Sequence, residues 1–254
     1  MKAARETIGS TTDTTVDPAE IARFGAHAAS WWDPAGSFQP LHRLNPTRLD
    51  FIRHALDEHF GRDPRSITPF AGLSLCDIGC GGGLIAEPMA RLGFTVTGID
   101  ADKDAIAVAR EHAIASALDI DYRCATAESL ADERRQFDVV LALELIEHVA
   151  DPQALLASCS ALVKPGGAFI GATLNRTPQA FALAVVGAEY VMRWLPRGTH
   201  DWRRFLRPSE FVLGLRRTGL KATRLTGVSY RPLSGDWALT DVLSVNYLVM
   251  AIKP

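Results

Sequence analysis

An apolar run that ends in an acid and breaks at once into glycines, Leu75-Cys76-Asp77-Ile78-Gly79-Cys80-Gly81-Gly82-Gly83, constrains this chain more than any other segment. It reads as a buried strand followed by a turn whose glycines take positive φ and let a ligand approach the backbone. The helix beginning at about Leu84 would aim its free amides at that ligand. Cys80 reads as a small loop filler. Purely steric strand-to-helix turns also use glycine, so the turn alone is a weak signal and the downstream segments decide. The run Thr95-Val96-Thr97-Gly98-Ile99-Asp100 reads as a second strand ending in a carboxylate, about 20 residues on, where an acid that accepts from both ribose hydroxyls belongs.

Dinucleotide enzymes share that layout, and the loop itself separates the two cofactor classes. Asp77, Gly79, Gly81 and Gly83 fall in register with a pattern that resembles the E/DxGxGxG loop of class I S-adenosylmethionine (SAM) methyltransferases. A GxGxxG dinucleotide fingerprint lacks the leading acid. In that frame Asp77 would face the positively charged methionine end of SAM.

The rest of the chain agrees with an α/β doubly wound, Rossmann-like sheet. Strand-like segments at Leu73–Ile78, Thr95–Ile99, Ile120–Cys124, Phe137–Leu141 and Ala168–Ala172 alternate with helical ones, and such alternation argues for parallel strands. Lys164-Pro165-Gly166-Gly167 is a helix stop ahead of a strand. Lys221–Leu225 and Asn246–Ile252 would bring the sheet to seven strands, mostly parallel, with an antiparallel edge. Residues 17–254 read as one methyltransferase domain, which opens with a helical preface over 17–66 anchored by Ile21, Phe24, Trp31 and Trp32.

With 47% hydrophobic and 22% charged residues among 254, the chain can bury the core of one such domain. A net charge of −2 gives no electrostatic case for nucleic acid as a partner. Cys76, Cys80, Cys124 and Cys159 have neither metal-type spacing nor the look of a disulfide framework, which suits a reducing, cytoplasmic setting. No apolar run reaches the length of a membrane span, and Met1–Val16, Thr-rich and without an apolar core, reads as a disordered leader.

Residues 175–207 interrupt the alternation. An apolar stretch, Phe181–Leu195, carries Tyr190 and Trp194 and has Arg176, Arg193, Arg197, Arg203, Arg204 and Arg207 in or around it. Rings at headgroup level and guanidiniums on lipid phosphates are what an in-plane membrane helix needs, so 178–207 is a candidate contact with a membrane surface. A lid over the substrate pocket is the equal alternative, and the two are compatible.

After the fourth strand, Glu144, Glu147 and His148 would sit at the mouth of the same crevice, on one face if the segment is helical. Two carboxylates and an imidazole could hold magnesium (Mg2+) or zinc (Zn2+). They could instead brace the loop, or His148 could act as a general base, its ordinary pKa being about 6.5. For a phenolic acceptor, metal coordination would favour the attacking phenolate. Glu128, in Ala125-Thr126-Ala127-Glu128 after the third strand, is placed to meet an adenine; solvation of an exposed loop is its other reading.

Taken together, Trp31-Trp32-Asp33, the run Pro40 to Arg48, Asp77–Gly83, Glu144–Val149, Leu174-Asn175-Arg176, Val185–Tyr190, Gly198–Asp201 and Val245-Asn246-Tyr247 resemble the ubiquinone biosynthesis O-methyltransferase family. The resemblance covers nearly all of the chain after the leader. The glycine loop and Lys164–Gly167 are generic to class I methyltransferases, whereas Pro40 to Arg48 and Val185–Tyr190 are selective.

The resemblance implies methylation of ring hydroxyls on polyprenylated phenol or quinol substrates, in a peripheral position at the inner membrane and in a ubiquinone-biosynthesis complex. It places SAM contacts on Arg48, Gly79, Asp100 and Leu143 and a metal triad on Glu144, Glu147 and His148. Leu143 and Leu145 stand where methionines are familiar in relatives, which keeps an apolar contact. Two competing readings are a C- or N-methyltransferase without a metal and a SAM-binding scaffold without turnover.

Overall fold

Five short β-branched and apolar runs, each followed by a helix, can bury both faces only in a parallel sheet sandwiched between helices. The computed structural model, which describes residues 15–17, 20, 21, 25, 27–183, 201–231 and 235–254, has that architecture. Strands β1 (Ser74–Ile78), β2 (Thr95–Asp100), β3 (Ile120–Cys124), β4 (Phe137–Leu143) and β5 (Val163–Leu174) pair in parallel. β6 (Lys221–Arg231), β7 (Asp236–Thr240) and β8 (Asn246–Ile252) complete the order β3-β2-β1-β4-β5-β8-β6-β7.

The sheet therefore has eight strands where the sequence predicts seven. β8 inserts antiparallel between β5 and β6, and the additional strand, β7, pairs only with β6. Asp236-Trp237-Ala238-Leu239-Thr240 is half-buried along most of its length and shows no period-2 contrast, so its pattern carries no strand signal. What fixes it is tertiary: β6 runs on to Arg231 and offers a free edge, and the Thr47 hydroxyl donates to the Trp237 carbonyl at 3.0 Å.

Helix α1 (Gln39–Phe60) carries that threonine and forms most of the preface. It ends where Gly61 turns left-handed at φ 60° while the Arg62 amide reaches back to the Asp57 carbonyl at 2.8 Å. Helices α2 (Ala86–Arg91) and α3 (Lys103–Ala115) join α1 on one face of the sheet, around Ile52, Met89, Ile106 and Ile170. Helices α4 (Ala127–Asp132), α5 (Pro152–Leu162) and α6 (Pro208–Arg217) cover the other, around Leu130, Leu156, Phe211 and Tyr247.

Two further boundaries differ from expectation. The segment after β4 is a turn rather than a helix, and α5 starts only at Pro152, capped by Asp151, whose carboxylate accepts the Gln153 and Ala154 amides at 2.9 and 3.0 Å. β5 begins at Val163 and runs through Lys164-Pro165-Gly166-Gly167, with Gly166 at φ 77° taking the corner. The expected leader up to residue 14, and residues 184–200 of the expected insertion, lie outside the described residues.

Chain order reverses between β1 and β4, which lie side by side at the sheet centre, and the loops leaving their carboxyl ends splay apart there. That geometry makes the crevice. Because Ile170 of β5 is fully buried beneath it, Ile170→Ala should cost about 2–5 kcal/mol, read from the urea midpoint at unchanged slope.

Candidate active site

The loops that leave β1, β2, β3 and β4 line one cavity of about 730 Å³, roofed by α1 and walled on its far side by β6 and β7. It has room for a nucleoside cofactor together with a ring-sized acceptor.

The glycine loop is set by its ties to β2. Gly79 and Cys80 donate their amides to the Ile99 carbonyl at 2.8 and 3.0 Å, and the Gly81 amide donates to the Asp100 carboxylate at 2.9 Å. The other Asp100 oxygen accepts from the Asp102 amide at 2.9 Å, at the start of α3. Gly79 and Gly81 have φ of 71° and 51°, a region that side chains with a Cβ avoid. A Cβ on Gly81 would also lie 2.4 Å from the Trp31 ring, so the loop's smoothness serves the preface as well as a ligand. Trp31 and Trp32 both pack on this loop, and Trp31 also lines the cavity.

Asp77 is the penultimate residue of β1, under the loop, buried, with one carboxylate oxygen lacking a hydrogen-bond partner. Burial, reinforced by the nearby Asp100 charge, pushes its pKa up to about 7. Burial also raises Asp100, against the lowering pull of the amides it accepts from. An unpartnered buried carboxylate beside a backbone cradle suits the cationic end of SAM, so the residues present fit that cofactor.

Glu128 faces the same cavity from α4, where one oxygen accepts from the Thr15 hydroxyl at 2.5 Å and the other has no partner. Leu143 ends β4 in the cavity wall. Arg48 points into the cavity from α1, buried, and makes an ion pair with Glu144 at 2.7 Å.

Glu144 sits at φ 51°, a strained position for a residue with a side chain, held by the hydrogen bond its amide N–H donates to the Ala172 carbonyl at 2.9 Å. Asn246 of β8 donates to the same carboxylate oxygen at 3.1 Å. Glu147 is buried beneath the turn and accepts from the Thr173 hydroxyl at 2.9 Å; burial first, and the Glu144 charge second, raise its pKa. His148 lines the cavity, with Nδ1 3.0 Å from a Glu20 oxygen.

The turn thus brings Glu144 and His148 to the cavity and puts Glu147 under it. As placed, this donor set does not offer a divalent ion three ligands: Glu147 gives one oxygen to Thr173 and keeps the other, unpartnered, on the Glu144 side, but Glu144 is held by Arg48 and Asn246 and His148 faces Glu20. Among the described residues no three His, Cys, Asp or Glu side chains converge to hold a metal.

Sequence reasoning missed Glu20, Thr173 and Asn246. Only Asn246 left a trace, as a member of the Val245-Asn246-Tyr247 segment and as the polar first residue of the otherwise apolar Asn246–Ile252 strand, with no role attached to it.

Because folding raises the Asp77 pKa from about 3.8 to about 7, its neutral form is favoured in the native state. That stabilisation is complete below pH about 4 and is lost as pH climbs through about 7. Asp77→Asn should therefore raise the thermal midpoint of the cofactor-free protein more at pH 8 than at pH 5, measured by circular dichroism melts across that range.

Comparison with known proteins agrees with this geometry. A methyltransferase-domain family model matches residues 76–171. The ubiquinone biosynthesis O-methyltransferase of Paramagnetospirillum magneticum is 55% identical over 239 residues, covering 94% of this chain and 96% of the relative. That of Dinoroseobacter shibae is 55% identical over 246 residues, covering 96% and 99%. Among solved structures, the magnesium protoporphyrin IX methyltransferase of Synechocystis with bound SAH superposes with a TM-score of 0.58 at 17% identity, over 86% of both chains. A SAM-dependent methyltransferase of Clostridium acetobutylicum gives 0.57 at 12% identity, over 80% of this chain and 89% of that one. These two likenesses concern the fold, whereas the curated relatives match over almost their whole length. The chain belongs to the ubiquinone biosynthesis O-methyltransferase family, on the class I SAM-dependent methyltransferase fold.

Proposed function

We propose that this protein moves the methyl group of SAM onto a ring hydroxyl of polyprenylated catechol-type intermediates. These are 3-demethylubiquinol, giving ubiquinol, and 2-polyprenyl-6-hydroxyphenol, giving 2-methoxy-6-polyprenylphenol. The observation that carries this reading is the continuity of one cavity: it runs from the glycine loop past His148 and Glu144 to an apolar wall of Leu41, Leu44, Val228 and Trp237. An aromatic ring with an isoprenoid tail suits that wall.

In this reading Asp77, Gly79, Gly81, Asp100, Glu128 and Leu143 hold SAM. Asp77 meets the methionine end, Asp100 the ribose and Glu128 the adenine side. SAM supplies an electrophilic methyl on a sulfonium; the protein aligns the acceptor oxygen with it and manages one proton. The phenolic oxygen forms the new C–O bond while the C–S electron pair returns to sulfur, leaving S-adenosylhomocysteine.

His148 takes the phenolic proton. A neutral imidazole donating through Nδ1 to Glu20 carries its lone pair on Nε2, the form a general base needs. Glu144 and Arg48 form the charged floor beside it, and Glu147 props the turn through Thr173. No step is routed through a metal, because among the described residues Glu144, Glu147 and His148 do not come together as a set of three.

The membrane face of the reading concerns residues 178–207. Phe181 and Leu183 are 44% and 52% exposed, and Val242, on the rim of the same cavity, is 61% exposed. An apolar rim at a cavity mouth lets a lipid-soluble substrate pass from a bilayer without crossing water. Among the described residues no helix is long and apolar enough to cross a membrane, so the contact proposed is peripheral, at the inner membrane beside other enzymes of the pathway.

The decisive assay is transfer of labelled methyl from SAM to a short-tailed demethylubiquinol under reducing conditions, with and without chelator. The expected product is the methylated phenol, and His148→Ala should lower kcat roughly 100-fold. SAM binding without any methylated phenol would sink the reading in favour of a different acceptor or a scaffold. Product that survives chelation agrees with the donor arrangement described. Stimulation by magnesium or zinc would mean that the turn rearranges and Glu144 leaves Arg48. Separately, Phe181→Ser combined with Leu183→Ser should reduce co-sedimentation with anionic vesicles; unchanged binding would remove the membrane face from the proposal.

A further inference from the structure

Outside the cavity, a chain of contacts links the cofactor loop to two helices and the preface. Glu87, in the first turn of α2 just beyond the glycine loop, is 2% exposed. A carboxylate so deeply placed needs a partner, and His112 of α3 supplies it, with Nδ1 2.6 Å from a Glu87 oxygen. Arg91, one turn on, approaches the other oxygen only to 3.8 Å.

The His112 ring carries Trp32 flat on its face, at 3.5 Å between centroids and 4° between planes. The Trp32 indole N–H then donates to the Gly82 carbonyl at 2.9 Å. One tryptophan is thereby fixed at once to α3 and to the glycine loop. Its neighbour Trp31 is the ring that covers Gly81 and Gly82, where an added Cβ would come within 2.4 and 2.5 Å of it. Trp31 stacks on Phe38 at 3.7 Å, its carbonyl lies 2.8 Å from His42 Nε2, and it lines the cavity beside Gly79 and Gly81.

We propose that Glu87, His112 and Trp32 are positioning residues for SAM: together they form a seat that holds Trp31 over the cofactor loop. None of the three lines the cavity. Glu87 fixes the plane of His112, that plane fixes Trp32, and Trp32 sets where the next ring lies against the loop. The loop carbonyl that Trp32 engages lies between two glycines, so the same contact restrains the loop backbone that lines the cavity at Gly79 and Gly81. A seat of this kind acts on SAM affinity and leaves the transfer step alone, since the acceptor oxygen and His148 lie elsewhere in the cavity.

The inference rests on SAM binding at the glycine loop, and the test separates the two. Affinity for SAH is measured by calorimetry, and KM for SAM and kcat by methyl transfer, on the full chain carrying His112→Ala, Trp32→Ala, and both. Each single variant should weaken SAH and raise KM for SAM by about tenfold, with kcat at saturating SAM within about twofold of the parent. The double variant should be no worse than the weaker single one, because both remove the same seat.

Glu87→Gln, which keeps a hydrogen-bonding partner for the imidazole, should retain most of the affinity, while Glu87→Ala should not. Thermal melts establish that each variant is folded at the assay temperature. Parent-like SAH affinity in His112→Ala, strictly additive losses in the double variant, or a fall in kcat at unchanged KM would each overturn the seat. A parent protein that fails to bind SAH would overturn the cofactor reading along with it.

Discussion

The Asp100 carboxylate is the contact on which the rest of the site depends. It closes β2, accepts the amide of the loop that follows β1 and accepts the amide that opens α3, so one side chain ties three chain segments together at the switch point of the sheet. Backbone amides are strong donors to a carboxylate in a low-dielectric setting, and they offset part of the cost of burying it. Two contacts to a carbonyl at the same end of β2, from the Gly79 and Cys80 amides to Ile99, fix the loop from the other side. The glycines then have the conformation required of them whether or not a ligand is present, which is the preorganisation that a cofactor site gains from a rigid sheet.

Much of this was legible in the sequence, and for an identifiable reason. β1, β2 and β4 are buried on both faces, so their composition is largely apolar and their ends are marked by Gly, Asp or Glu, which the interior excludes. Asp77, Gly79, Gly81, Asp100 and Glu144 stand out because each is a residue type out of place at the end of such a run. β7 has no such contrast, being half-buried on an edge, and its existence follows from the free edge of β6 and from α1 rather than from its own pattern.

The segment from Glu144 to Val149 shows the opposite failure. Its residues are good helix formers and their spacing would share a face, yet the chain turns. The Glu144 amide continues the sheet ladder to Ala172, and the buried Arg48 draws the Glu144 side chain toward α1, so tertiary contacts outweigh a local propensity of a few tenths of a kcal/mol per residue. The partners that settle this geometry, Arg48, Thr173, Asn246 and Glu20, come from four distant parts of the chain. No local pattern could have assembled them, and only the family resemblance pointed to Arg48.

The electrostatics of the cavity bear on turnover as well as on binding. Asp77, Asp100, Glu144 and Glu147 lie within one small region, and the raised pKa values of three of them record how poorly that region tolerates negative charge. Arg48 relieves only the Glu144 side, through its ion pair at 2.7 Å. On the other side, under the glycine loop, Asp77 keeps an oxygen without a partner. In the proposed reading the ammonium at the methionine end of SAM completes that half of the site, since its positive charge would favour the ionised form of Asp77 that burial alone disfavours. That ammonium is common to SAM and S-adenosylhomocysteine, so methyl transfer would remove only the sulfonium's share of the favourable field and leave the partner of Asp77 in place.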